Sequence, residues 1–234
     1  MKERKRLAVL GGMGPLATAV FYNRLVEHAK LRARSDQDHP DVLIWSDCAM
    51  PDRSEVIISG ESQALLARCQ EDFRLFEEAD CDYICFPCNT MHYFISDLTK
   101  LTTIPILNMI DLCLAKLRRA HPGLKRIQIF ATDGTRSAHL YERYATAYDF
   151  DVIDVSDQDQ EIIMDAIYDL KRTGQIDFPE ISQLIFKAIS TGIECVILAC
   201  TELSCMTINP KVAPYVCDAM DALIEECLAR VMGG

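Results

Sequence analysis

No run in this 234-residue chain approaches the roughly 20 consecutive apolar residues that a bilayer-spanning helix needs. An export signal is not expected either. Met1 to Leu10 carries the charges of a signal's first region, but only Leu7 to Leu10 is apolar before Gly11 and Gly12 intervene. Positive charge is scarce: 24 Lys and Arg stand against 35 Asp and Glu, a formal charge of −11. That balance excludes nonspecific binding to nucleic-acid phosphates or anionic lipid as the main task, although a cleft can still hold a small anion. Low-complexity tracts and long linkers are missing, and a 50% apolar composition with ordinary Gly and Pro counts excludes disorder. Cysteine, by contrast, is abundant at 11 residues. Without an export signal this predicts a reducing cytoplasm, with most thiols acting as small buried hydrophobes.

Short apolar runs alternate with longer amphipathic segments, which predicts an α/β fold with mostly parallel strands flanked by helices. Strands are expected at Leu7–Leu10, Val42–Trp45 and Tyr83–Phe86, with helices over about 15–32 and 62–78 and a short one after Asn89. Ile104–Leu107 leads into a helix ending near His121-Pro122-Gly123. The pattern then restarts. Arg126-Ile127-Gln128-Ile129-Phe130 resembles Arg6-Leu7-Ala8-Val9-Leu10 at an offset of 120 residues, and Gly134 falls where Gly14 stood. Cys195 to Thr201 echoes Tyr83 to Asn89, placing Cys200 against Cys88 at an offset of 112. Two degenerate matches at similar offsets suggest an internal duplication. They predict two lobes, 1–110 and 111–211, with the closing segment 212–234, mostly a helix from about 217, joining the first.

The opening turn contains a G-x-G-x-x-A match from Gly12, between a strand and a helix as a dinucleotide fingerprint requires. Pro15 removes an N–H from the first helical turn, and no acidic residue stands at the ribose position, Asp47 falling later. The turn therefore reads as a small-anion seat or as a turn alone. Cys85-Phe86-Pro87-Cys88 is a C-x-x-C, but Cys85 lies within the apolar strand run, which disfavours a redox pair. Cys85, Cys88, His92, Cys200 and Cys205 lack the two compact ligand pairs of a structural zinc site, so no metal is expected.

Cys88 and Cys200 each follow a predicted parallel strand and precede a helix, the edge at which open α/β sheets bind ligands. The helix dipole there is expected to favour thiolate. Equivalent cysteines from two related lobes would face each other, one base and one acid on opposite sides of a carbon, as inversion of a stereocentre requires. The alternative is a pair of buried structural thiols.

Pro87-Cys88-Asn89-Thr90-Met91-His92 and Ala199-Cys200-Thr201-Glu202-Leu203 resemble the paired cysteine motifs of the cofactor-independent aspartate/glutamate racemase superfamily. Gly11 to Thr18, Pro51-Asp52-Arg53 and Leu170-Lys171-x-x-Gly174 resemble its aspartate racemase branch. The resemblance implies two pseudo-symmetric α/β lobes with a cleft between them, no pyridoxal phosphate, no metal, a small amino acid as substrate and a homodimer. It implies Cys88 and Cys200 as the acid/base pair, without ordering them. Met13, Gly14, Asn89, Thr90, Thr135 and Thr201 would hold the amino-acid backbone, with Glu202 orienting the ammonium. Arg53 and Lys171 would take the side-chain carboxylate, which favours aspartate, then glutamate. His92 reads as an orienting or core histidine. Asp133, before Gly134, departs from the branch and would repel an anion if it faced the cleft. A broad-specificity or neutral amino-acid racemase, and a noncatalytic amino-acid-binding protein, are the competing readings.

Overall fold

Continuous apolar runs that are buried on both faces form parallel strands, and here they build two sheets. The computed structural model describes residues 4–233; Met1–Glu3 and Gly234, within the segments read as the start and end of the chain, lie outside the described residues. The first half runs β1 (Arg6–Gly11), α1 (Pro15–Ala29), β2 (Asp41–Ser46), α2 (Arg53–Ser59), α3 (Gln63–Glu78), β3 (Tyr83–Cys85), α4 (Ile95–Leu98) and α5 (Met109–Ala120). The second half runs β4 (Arg126–Phe130), α6 (Asp133–Ser137), α7 (Glu142–Ala145), β5 (Asp151–Ile153), α8 (Asp157–Thr173), α9 (Pro179–Ser190), β6 (Cys195–Leu198), α10 (Thr201–Ser204), β7 (Val216–Asp218) and α11 (Ala219–Met232). Among the described residues, no helix is long and apolar enough to cross a membrane.

The sheets have orders β2-β1-β3 and β5-β4-β6-β7, all parallel. The second repeats the first strand for strand, as the two sequence echoes predict. Ile104–Leu107 takes the place corresponding to β7. It makes only one parallel bridge, Ile106 to Ile84, with Ile84 N donating to Pro105 O and Leu107 N to Ile84 O. Pro105 has no N–H to extend the ladder. In each sheet the chain moves from its central strand first to one side and then to the other. This leaves a crevice at the carboxyl ends of β1 and β3, and another at those of β4 and β6.

One core cluster crosses both sheets, joining Leu7 and Val9 of β1 to Ile127 of β4 and Ile197 of β6 through α1, α5 and α11. Separate clusters under α3 and under α8 and α9 fill the outer faces. The closing segment divides between the lobes: Val216–Asp218, expected with the first lobe, pairs with β6, while α11 packs on α1, α5, β1 and β3. Asp218 caps α11 by accepting from Met220 N, so the helix starts two residues later than its apolar pattern suggests.

Candidate active site

The two crevices face each other and share one cavity. Its wall includes Met13 after β1, Asp52, Arg53 and Ser54 at the start of α2, and Cys88, Asn89 and Thr90 after β3. From the other sheet come Thr132 after β4, Tyr168 and Lys171 of α8, and Cys200, Thr201 and Glu202 after β6. The cavity measures about 20 Å³, room for about one water molecule.

Sterics dictate the opening turn. Gly12 has φ +84°, and a Cβ there would collide with the Asp47 backbone. Its N–H donates to Thr18 Oγ1 at 2.9 Å, and that hydroxyl donates to Gly14 O at 2.9 Å. The Gly12 amide is therefore occupied, which counts against the turn as a small-anion seat. Gly14 does not line the cavity but leaves room for it, since a Cβ there would stand 3.1 Å from Glu202 Oε1. Across the mouth, a Cβ on Gly134 would meet Ser54 Cβ at 2.8 Å and Ser54 Cα at 2.9 Å, so α2 and α6 touch.

Cys88 and Cys200 are each 5% exposed, one from each sheet. Cys85 packs in the core shared by the sheets, whereas Cys88 packs under α3, so the C-x-x-C sulfurs belong to different clusters. His92 is buried, with Met109 N donating to its Nε2 at 3.1 Å. That leaves the proton on Nδ1, which donates to Cys88 O at 2.9 Å. Burial lowers the His92 pKa and outweighs its main-chain partners, so the neutral ring steadies the Cys88 backbone.

Cys200 Sγ donates to Glu202 Oε2 at 3.0 Å, and Glu202 is itself 3% exposed. Burial first, and then the Glu202 carboxylate, push the Cys200 pKa well above its ordinary value against the pull of Lys171. This reverses the sequence expectation of a dipole-stabilised thiolate at Cys200. Its helix, α10, is only four residues long and has a small dipole, so desolvation wins. Lys171 Nζ lies 3.8 Å from Glu202 Oε1. Burial works against the lysine's charge, but Glu202, Cys200 and Cys88 outweigh it and raise its pKa.

Two donors on the wall are buried with no partner among the described residues, Asn89 Nδ2 and Arg53 Nε. Tyr141 Oη donates to Asn89 Oδ1 at 2.6 Å and so turns the other end of the amide away as a free donor. Arg53 Nη1 donates to Pro51 O at 2.9 Å, fixing the guanidinium. Thr135 lies behind the wall, buried, its Oγ1 3.0 Å from Thr90 Oγ1, and Thr90 Oγ1 is 3.1 Å from Thr132 Oγ1. The three hydroxyls join the lobes. Asp133 is exposed and accepts from Gln160 Nε2 at 2.8 Å, so it turns away from the cavity.

Of the residues nominated from sequence, Met13, Arg53, Cys88, Asn89, Thr90, Lys171, Cys200, Thr201 and Glu202 line one cavity, and Gly14 and Thr135 stand behind it. Sequence reasoning missed Ser54, Thr132, Tyr168 and Tyr141. Tyr168 had a signal, lying one helical turn before Lys171.

The same arrangement connects the chain to known proteins. It is similar to the Picrophilus torridus aspartate racemase structure at 26% identity, with a TM-score of 0.79, covering 97% of this chain and 94% of that one. A structure of an aspartate racemase homologue from Pyrococcus horikoshii matches at 21% identity and TM-score 0.78, over 97% of this chain and 99% of that one. A broad-specificity amino-acid racemase of Bacillus subtilis is 23% identical over 203 residues, 85% of this chain and 86% of its own length. With two thiols drawn from duplicated half-folds, and a match to the Asp/Glu/Hydantoin racemase model over residues 10–227, the chain belongs to that family.

Proposed function

We propose that this protein interconverts the enantiomers of an acidic amino acid, aspartate first and glutamate second, by proton transfer between two thiols without pyridoxal phosphate. The supporting observation is one cavity in which Cys88 and Cys200, from different sheets, share a wall with the buried unpartnered donors Asn89 Nδ2 and Arg53 Nε. Unsatisfied buried donors are costly unless a ligand accepts from them, and a substrate carboxylate does so.

In this reading a thiolate on one side removes the α-proton and a thiol on the other returns one to the opposite face. Cys200, protonated and donating to Glu202, starts as the acid opposite a Cys88 base. In the reverse direction Glu202 receives the Cys200 proton, with Lys171 balancing the carboxylate. The Cα–H bond is weakly acidic, so Asn89, Thr201 and nearby amides lower the barrier by stabilising charge that develops on the α-carboxylate. Arg53 and Lys171 hold the side-chain carboxylate. Because the cavity holds about one water, it must widen to admit an amino acid.

A broad-specificity racemase is the second reading, supported by Lys171 already facing Glu202 and by the Bacillus subtilis relative. The 11 free thiols support a reducing, cytoplasmic setting, and the family resemblance supports a homodimer, checked by sedimentation. The decisive experiment incubates L-aspartate with the purified protein in D2O and resolves the enantiomers. D-aspartate carrying α-deuterium is expected. Aspartate that stabilises the protein against heat without α-exchange identifies a noncatalytic binding protein instead.

A further inference from the structure

In the core shared by the two sheets, Cys113 Sγ of α5 lies 3.6 Å from Cys217 Sγ of β7. The two thiols are unequal in access. Cys113 is fully buried, whereas Cys217, 8% exposed, lines an open groove of about 1140 Å³ together with Lys116, Cys195 and Asp218. They are unequal in charge as well. The hydrogen bond from Cys113, aided by Lys116, lowers the Cys217 pKa despite burial and the nearby Asp218 and Asp221. The same hydrogen bond, with burial, raises that of Cys113.

We propose that Cys217 and Cys113 form an oxidisable dithiol, separate from the cleft thiols, that a peroxide reaches through the groove and converts to a disulfide tying β7 to α5. The Cys217 thiolate attacks one peroxide oxygen, and the O–O bond breaks. Hydroxide leaves, takes up a proton and becomes water, leaving Cys217 as the sulfenic acid. Cys113 then loses its proton and attacks the Cys217 sulfur; the S–S bond forms, the S–O bond breaks and a second water departs. Two thiols lose two electrons and one hydrogen peroxide is reduced to two waters. Closing the pair to a bond of about 2.05 Å pulls on β7. Asp218, the next residue, accepts from Ser204 Oγ at 2.7 Å at the end of α10, so the strain falls on the segment that follows Cys200.

The test maps sulfurs rather than activity, because the cleft thiols also meet the oxidant. Native protein is treated with hydrogen peroxide, alkylated and digested, and its peptides are analysed by mass spectrometry with and without dithiothreitol. A reducible Cys113–Cys217 peptide pair is expected, with Cys217 consumed at least about 10-fold faster than buried Cys69, which burial holds at a pKa of about 12. In Cys113→Ser, and in Cys113→Ala should the serine destabilise the core, dimedone is expected to label Cys217. Both thiols remaining alkylatable while exposed Cys48 oxidises, or Cys217 pairing with another cysteine, overturns the proposal.

Discussion

The Cys200 thiol donates to the Glu202 carboxylate at 3.0 Å, and both side chains are buried in the wall of the cavity. Glu202 is one of the causes that raise the Cys200 pKa, so removing its charge must lower that pKa. Glu202→Gln is therefore expected to speed iodoacetamide labelling of Cys200 at a given pH and to move its labelling profile toward acid. Racemisation moves the opposite way, falling about 100-fold, because the amide cannot take the thiol's proton. Peptide-resolved alkylation across pH, beside a chiral assay, checks both signs; parallel changes would break the assigned relay.

Cys88→Ala and Cys200→Ala should each abolish racemisation, by about 1000-fold or more. Each variant retains one thiol, so α-deuterium should still enter one enantiomer and not the other, and the two variants should differ in which. That outcome orders the pair. Cys69→Ala and Cys227→Ala, both fully buried away from the cavity, should remain active while losing about 1 kcal/mol of stability, measured by urea unfolding.

Much of this site was legible because parallel strands buried on both faces are continuous apolar runs, and their ends can be read. Cys88 and Cys200 could be placed at such ends, and the echo between the halves foretold matching strand orders. β5 and β7 each contain only two apolar residues, Val152-Ile153 and Val216-Cys217, followed at once by an aspartate, which left no run to detect. The helices α8 and α9 went unread, and with α8 went Tyr168, although Lys171 on the same helix was found from its motif. Tyr141 meets Asn89 across 52 residues of sequence, a contact that no local pattern encodes. The direction of the Cys200 pKa was misread because burial, which no motif displays, outweighs a one-turn dipole.

Asp72 supplies a test of the fold rather than of the chemistry. Burial first, and then the Asp47 carboxylate, raise its pKa to about 6, although Trp45 Nε1 donates to Oδ1 at 2.8 Å. A carboxyl whose folded pKa exceeds its unfolded value of about 3.9 costs nothing while protonated. Its cost grows as pH rises through that window and is complete above the folded value. Asp72→Asn keeps the acceptor for Trp45 and removes the charge. It should stabilise the protein by about 1–3 kcal/mol at about pH 8 and hardly at all at about pH 4, read from urea midpoints.

Arg53 separates acidic from neutral substrates. Its Nη1 is held by the Pro51 carbonyl while Nε stays free, so a side-chain carboxylate gains a fixed, charged donor. Arg53→Ala should lower kcat/KM for aspartate about 100-fold and leave alanine or homoserine turnover, if any is present, unchanged. Arg53→Lys should recover little, since an ammonium cannot reproduce the guanidinium edge. Equal losses on all substrates would move the protein to the broad-specificity reading.

Tyr141 acts through Asn89. Its hydroxyl, buried and donating to Oδ1 at 2.6 Å, decides which end of the amide faces the cavity. Asn89 Nδ2 has no partner among the described residues, so none of them competes with Tyr141 for that choice. In Tyr141→Phe the amide can turn its oxygen toward the substrate carboxylate, replacing a donor with a repelling acceptor. KM should then rise about 10-fold, equivalent to about 1.4 kcal/mol, with a smaller fall in kcat, because the reacting thiols are untouched. A purely structural tyrosine would lower thermal stability by about 1 kcal/mol and leave KM alone. The ratio of the two effects, measured well below the unfolding temperature, distinguishes an aligned amide from a packed ring.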